Sequence, residues 1–211
     1  MTSFIENQEW RYATKKFDSS KKVSDENIEI LNNAVQLSTS SYGLQLYKVF
    51  IVNNSEIRAQ LKPASWGQQQ ITDASHLFIF AGYTKVSDED IDHHINNIEH
   101  TRDLPSDALT GYGTFMKTQI GGKSKSEIEQ WTAKQTYLAL GNLLNAAAEL
   151  KIDVCPMEGF DAKQYSQILG LEQLGLEVAL VAPVGYRATE DDTQHQKKVR
   201  KSIDELFITI N

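Results

Sequence analysis

The chain has 211 residues, of which 40% are hydrophobic and 23% charged, and its formal net charge is −7. That length suits one domain with an ordinary core, and the acidic balance argues against a nucleic-acid backbone as the main ligand, which needs a basic face. The single cysteine, Cys155, excludes an internal disulfide and fits a reducing compartment.

The N-terminal MTSFIENQEWRYATKKF lacks the apolar core of a signal peptide, and no apolar run reaches the roughly 18 residues of a spanning helix, so a soluble cytoplasmic protein is expected. Ser3 suits the cap of a short helix ending near Ala13. Ser24 suits the cap of a second helix, with an apolar stripe of Ile28, Leu31 and Val35. Tyr47 to Val52 reads as a strand, and Glu56 to Leu61 as a short helix stopped by Pro63. His76 to Ala81 is nearly all apolar, as in a strand buried on both faces. Ser87 to Asp90 carries a capping-box pattern ahead of Ile91, Ile95 and Ile98. Residues 103–123 have weak periodicity and are expected to be mobile and partly helical. The longest helical pattern runs from Ser126 to Leu150, with Trp131, Tyr137, Leu140, Leu144 and Ala147 predicted to face the core. A short strand from Ile152 to Cys155 follows, then a helix from Asp161 to Gly170 and a strand from Val178 to Gly185. Phe207 to Ile210 reads as a last strand with no neighbour in sequence to pair with. No repeat or linker divides the chain, so residues 1–211 are expected to form one domain.

Four local groups can carry chemistry. Arg11 and Lys15, four apart beside Tyr12 and Ala13, can grip a phosphate, or simply answer a helix macrodipole. The hydroxyl-rich loop Ser38 to Gln45 can hold phosphate or ribityl oxygens, or serve only as a turn. In Cys155-Pro156-Met157-Glu158-Gly159-Phe160 a strand ends at a turn whose amides can face a planar ring, or that simply connects strand to helix with Glu158 solvated. Lys197 to Lys201, the one dense basic run in an acidic chain, can bind an anion or be simply a solvated charge run. Asp90, Asp92, His93 and His94 read as a polar helix face, and no zinc-ligand spacing occurs, so no metal is expected. The phosphate-loop, dinucleotide-glycine and nucleophile-elbow patterns are missing.

Taken in order, these groups resemble the flavin-dependent nitroreductase family. RYATKKFD is similar to the family's Arg-x-[Ser/Ala]-x-Lys-x-Phe opening, and LSTSSYGLQLYKVFIV to its Pro-[Ser/Thr]-Ser-x-x-x-Gln-Pro-Trp stretch. ITDASHLFIFAG resembles its Asp-Ala-[Ser/Pro] start of a strand. WTAKQTYLALGNLLNAAAELKIDVCPMEGFD resembles its long central helix with the Pro-x-Glu-Gly-Phe sequel, and KKVRKS its Lys-x-Arg. The similarity spans essentially the whole chain. Leu46 and Tyr47 stand where many members have Pro-Trp, Gly43 and Gly67 where some have an amide, and Ala13 where serine is frequent.

The resemblance implies an α+β, three-layer α/β/α fold. Its mixed, mainly antiparallel sheet would pass a C-terminal strand to the partner of a homodimer. It implies FMN at the subunit interface, with NADH or NADPH as co-substrate. Hydride would pass through the flavin to nitroaromatics, quinones or similar acceptors in a ping-pong cycle. Flavin reductases, dihydropteridine reductases and a non-enzymatic flavin-binding protein are the alternatives. By position, Arg11, Tyr12, Ala13 and Lys15 would meet the phosphate and the ring's pyrimidine edge, with Lys198 and Arg200 at the phosphate. Ser40, Ser41 and Gly43 would come from the partner, Gln68 and Gln70 would reach the ring, and Pro156, Met157, Glu158 and Gly159 would line its other face. Tyr42, Tyr112 and Phe115 are the expected substrate-pocket residues. The chemistry is borne by the flavin, so no catalytic side chain is expected.

Overall fold

The computed structural model describes residues 3–210. Four strands form one antiparallel sheet, in the order β1 (Tyr47–Val52), β2 (His76–Tyr83), β4 (Leu176–Gly185), β3 (Asp153–Val154). The two central strands are apolar on both faces because both faces are covered. Leu77, Ile79 and Ala81 of β2 point to one side, where α3 (Ser55–Ala64), α4 (Gln70–Asp73) and α8 (Ala162–Leu169) supply Leu61, Ile71 and Tyr165. Phe78 and Phe80 point to the other, where α2 (Asp25–Gln36) and α7 (Lys125–Glu149) supply Leu31, Val35, Leu140 and Leu143. The result is helix, sheet, helix, as expected. Each large aliphatic side chain removed from water contributes about 1.5–3 kcal/mol.

One irregularity keeps the facing in phase. Phe80 pairs with Leu180, but Ala81 pairs with Val178, so Ala179 is an extra residue in β4. Val178 and Leu180 are two apart and yet lie on opposite faces. The approach of α7 to the sheet depends on Gly82, where a Cβ would sit 2.8 Å from Thr132 Oγ1. That hydroxyl donates to the Tyr83 carbonyl at 2.8 Å.

A satellite cluster forms where α5 (Asp88–Thr101) meets α6 (Thr110–Gly121), burying Ile91, Ile95, Met116 and Ile120 with Ile128 of α7. Short elements complete the chain: α1 (Ser3–Trp10), α9 (Ile203–Leu206), and 3-10 turns at Ser41–Gly43, Glu172–Leu174 and Asp192–His195.

Local capping chemistry is where sequence and structure agree best. Ser24, Asn54 and Asp161 accept N–H bonds at their helix starts, and Ser87 closes a capping box with Asp90. Gly170 takes the left-handed cap of α8, with φ 67°.

Several expectations are corrected. The first helix ends at Trp10, three residues before Ala13, and Ser3 lies inside it; Ala13 bridges to Val154 instead. Pro63 sits within α3, which ends one residue later, because a proline in the final turn forfeits only one helical bond. The stretch 103–123 is partly helical, as expected, through α6. The predicted core face of α7 holds at Leu140 and Ala147, which are buried, and at Leu144 and Trp131, which pack against the clusters, but Tyr137 is 44% exposed, and Thr132, Gln135, Thr136, Ala139 and Leu143 are buried as well. Phe207 to Ile210 forms no strand in this chain and lies exposed. Among the described residues all the strand pairs are antiparallel, and the one parallel contact is the Ala13 to Val154 bridge.

Candidate functional site

A cavity of about 370 Å³ lies between the end of α1, the turn after β3 and the segment from Thr193 to Arg200. It brings together six of the residues expected from sequence: Arg11, Tyr12, Ala13, Pro156, Lys198 and Arg200. Glu9, Trp10, Thr193, Gln194, Gln196 and Lys197 also line it.

Like charges converge here. Arg11, Lys198 and Arg200 form no ion pair among the described residues. Burial, then repulsion from Arg200, holds the Arg11 guanidinium below its usual range. Burial, then Arg11 and Arg200, lowers the Lys198 ammonium, opposed only weakly by Glu9. Lys198 Nζ donates to the Arg11 carbonyl, and Arg11 Nε donates to Gln8 Oε1 at 2.6 Å.

Two buried carboxylates hold the N-terminal wall. Asp191 accepts from the Lys15 and Lys16 amides at 2.7 and 3.1 Å, from the Tyr12 hydroxyl at 2.9 Å and from the Thr193 amide at 3.1 Å. Burial raises its pKa, but these donors outweigh burial and leave it lowered. Asp153 accepts from the Thr14 hydroxyl at 3.2 Å and faces Arg187, whose Nε lies 2.9 Å and Nη2 2.6 Å from Oδ1. The Arg187 guanidinium is flanked by the rings of Trp10 at 4.2 Å and Tyr12 at 4.5 Å. Burial is the first reason that the Tyr12 phenol is raised, and its bond to Asp191 the second.

The remaining expected residues divide into three places. Lys15 is exposed, and its charge lowers the buried Cys155 thiol, which burial nevertheless raises overall. Met157 is buried and bridges to Val181. Gln68 donates to the Gly159 carbonyl at 2.8 Å, and Glu158 accepts from the Tyr137 hydroxyl at 2.5 Å. Burial and that bond push the Tyr137 phenol up to about 12. Gln70 is buried at the start of α4. Ser40, Ser41, Tyr42 and Gly43 do not line the cavity of their own chain. Ser41 N donates to Gln135 Oε1 at 2.7 Å, its hydroxyl accepts from Trp131 Nε1 at 3.1 Å, and His94 Nε2 donates to the Tyr42 carbonyl at 3.0 Å. The Tyr42 ring meets Phe115 and Trp131 edge-on, both at 6.4 Å, and Tyr112 is exposed one turn before Phe115.

Sequence reasoning passed over Trp10, Asp153, Arg187 and Asp191. Asp191 carries a faint local signal, as an aspartate two residues before Thr193, and it does cap the turn there. Its bonds to residues 12–16 have no sequence signal. Among the described residues, no group of three or more His, Cys, Asp or Glu could hold a metal ion, and no helix is long and apolar enough to cross a membrane.

The fold is shared with nitroreductase-type proteins of known structure. YdfN of Bacillus subtilis superposes with a TM-score of 0.88 at 20% identity, covering 98% of each chain. An Exiguobacterium sibiricum nitroreductase-type protein, solved in complex with FMN, gives 0.84 at 19% identity over 100% of this chain and 98% of that one. At these identities the likeness concerns the fold alone. Sequence goes further: the profile described as Nitroreductase family matches residues 9–186. YfkO of Bacillus subtilis, provisionally named an NAD(P)H nitroreductase, is 32% identical over 216 residues, covering 97% of this chain and 96% of YfkO. A similarly named Staphylococcus epidermidis protein is 35% identical over 208 residues, or 94% and 92% of the two chains. The chain belongs to the Nitroreductase family, a family of oxidoreductases.

Proposed function

We propose that this chain is an NAD(P)H-dependent reductase that holds FMN at the Arg11 cavity and works as a cytoplasmic homodimer, with residues 1–211 acting as one domain. The observation that carries this reading is the convergence of Arg11, Lys198 and Arg200 without an ion-pair partner among the described residues. A dianionic phosphate relieves the repulsion that lowers Arg11 and Lys198. The names of the relatives support the electron donor, and the FMN complex of the Exiguobacterium protein supports the cofactor.

When bound, FMN supplies hydride transfer between NAD(P)H and a nitroaromatic, quinone or similar acceptor, in a ping-pong cycle. The chain's own groups position and screen. Arg11, Lys198 and Arg200 hold the phosphate. Tyr12, Ala13 and Pro156 wall the cavity. Lys15 offers a cation beside Cys155, where negative charge gathering on a ring edge would be stabilised. Gln68, tied to Gly159, and Glu158, tied to Tyr137, fix the turn after Pro156, which would line one face of the ring. Met157 anchors that turn in the core, and Gln70 would reach the ring from the start of α4. Ser40, Ser41 and Gly43 complete the site of a second copy, and Tyr42, Tyr112 and Phe115 lie over its acceptor.

Exposed apolar groups support the dimer. Phe207, Ile208 and Ile210 are 67%, 87% and 92% exposed, and β1 leaves one sheet edge unpaired among the described strands. Such edges and tails invite pairing. A chain ending at Lys201 should sediment as a monomer while the full chain sediments as a dimer; equal masses would remove the strand exchange.

The test of the activity is an absorbance spectrum of the purified protein before and after anaerobic NADH or NADPH. Flavin bands that bleach with one donor are expected, and parallel initial-rate lines against donor and acceptor. A colourless protein that takes up no added FMN overturns the reading.

A further inference from the structure

A second cavity, of about 470 Å³, lies where β2 leaves the sheet and α6 passes into α7. Thr84, Lys85 and Val86 form one side, Ile120, Gly121 and Lys123 another, and Lys125 and Ile128 a third. It shares no residue with the lining of the Arg11 cavity. Three of its lining residues are lysine and none is acidic, in a chain whose net charge is −7.

The floor and the rim differ in chemistry. Ile120 and Ile128 are buried and belong, with the half-buried Val86, to the cluster that joins α5 to α6. The rim is cationic and drawn from separate elements. Thr84 donates its amide and its hydroxyl to the Gly175 carbonyl at 2.8 and 3.0 Å, which fixes the backbone that carries Lys85. Lys123 Nζ stands 5.7 Å from the centroid of the Trp131 ring. Lys125 reaches Glu129 at 3.6 Å with its side chain 79% exposed, a contact that contributes little. Lys85 and Lys123 form no ion pair among the described residues.

Two of these cations also stand at the wrong end of a helix. Ser124 is the N-cap of α7, Lys123 precedes it, and Lys125 is the first helical residue. The first turn of a helix favours acids and disfavours cations. Glu127 is engaged by the cap itself, accepting from the Ser124 amide at 2.8 Å and from its hydroxyl at 2.7 Å. An anion seated among the three lysines relieves this conflict, and an apolar body behind it covers the isoleucines.

We propose that this cavity is a second ligand site, which takes a small organic carboxylate with an apolar body. Its volume falls in the range of small-molecule pockets, about 300–1,000 Å³. Lysines bind an anionic head as point charges, and the body contributes through the apolar area it removes from water. Both parts are needed. A free phosphate leaves the floor wet, and a neutral body leaves the rim charges unmatched. The site is independent of the flavin reading, since none of its residues belongs to the Arg11 cavity.

The probe is octanoate, titrated by calorimetry into the purified full chain with and without added FMN. Octanamide keeps the body and loses the charge; inorganic phosphate keeps the charge and loses the body. Each should bind at least about tenfold more weakly than octanoate. Lys85→Met combined with Lys123→Met should weaken octanoate about tenfold and flatten its salt dependence. Both lysines are exposed, so this variant keeps the fold. Gly121→Phe blocks the cavity from the other side. A Cβ there meets nothing within 4 Å, so the ring has room, and octanoate binding should be lost. Lys198→Met, in the Arg11 cavity, should bind octanoate as the wild-type chain does.

No uptake of octanoate, or equal affinity in the double lysine variant, overturns the site. Octanamide or phosphate binding as tightly as octanoate overturns the ligand class. Loss of octanoate in Lys198→Met gives the carboxylate to the Arg11 cavity and overturns the assignment here. A chain that takes up no FMN yet binds octanoate through Lys85 and Lys123 overturns the flavin reading and leaves this site standing.

Discussion

Residues 10–17 and residues 196–201 supply cations to the same cavity, but the two segments are held in very different ways. The first is fixed from several sides. Lys15, Lys16 and Tyr12 donate to Asp191, Thr14 donates to Asp153, and Phe17 bridges to Arg187. The second is nearly loose. Lys198 donates to the Arg11 carbonyl, and Arg200 donates at 2.6 Å to the carbonyl of its own neighbour, Val199. One wall is pre-organised before any ligand arrives, and the other is left to close on it. Stability should therefore reside in the first segment, while the second contributes to affinity.

The sharpest way to break this contrast is Asp153→Ala. It leaves the largely buried Arg187 guanidinium without its carboxylate, and urea unfolding should register a loss of about 3–5 kcal/mol. A loss too small to measure would mean that the N-terminal wall is not fixed by this pair. Asp191→Ala comes next: it strips one acceptor from three amides and a hydroxyl, at a cost of about 1–3 kcal/mol. The carboxyl also gives the fixed wall a pH dependence. Its folded-state pKa lies below the ordinary 3.8, so the unfolded chain binds more protons in that window. Its contribution is full above 3.8 and is lost as pH falls through the lower folded value. A series of melting curves run into acid should show a shallower decline for Asp191→Asn than for the wild-type chain.

The smallest stability effect belongs to the loose segment. Lys198→Met removes a charge that sits among like charges, so the Tm should hold or rise slightly. FMN and inorganic phosphate should each bind about tenfold more weakly by titration. If the melting temperature instead fell as far as in Asp191→Ala, the segment would be part of the scaffold and the contrast would fail.

How much of this was legible follows from the range of the forces involved. β2 and β4 could be read because burial on both faces leaves an unbroken apolar run from Leu77 to Ala81 and from Val178 to Val184. The caps at Ser24, Ser87 and Asp161 were equally plain, since cap and amide are two or three residues apart. The facing of α7 was legible at Leu140 and Ala147 but not at Tyr137, because small and apolar residues surround much of that helix and Tyr137 fits either side. Half of the cavity's lining was legible, Arg11, Lys198 and Arg200 by their charge and Tyr12, Ala13 and Pro156 through the family resemblance. The carboxylates that shape it were not: Asp191 reaches Lys15 across 176 positions and Asp153 reaches Thr14 across 139, and a single sequence carries no trace of such pairs. Trp66, at φ 55°, carries no such signal either. Its left-handed backbone exists as an angle, and composition does not report it.

The extra residue in β4 has a consequence for how this protein can vary. Most surface connections tolerate gain or loss of a residue, because loop length changes stability slowly. Ala179 cannot be lost on those terms. A chain shortened by that one alanine would keep its strand and its composition, yet Leu176 and Val178 would turn from the α3 and α8 side to the α2 and α7 side. Substitution at Ala179 is a local change; deletion turns one end of the strand inside out.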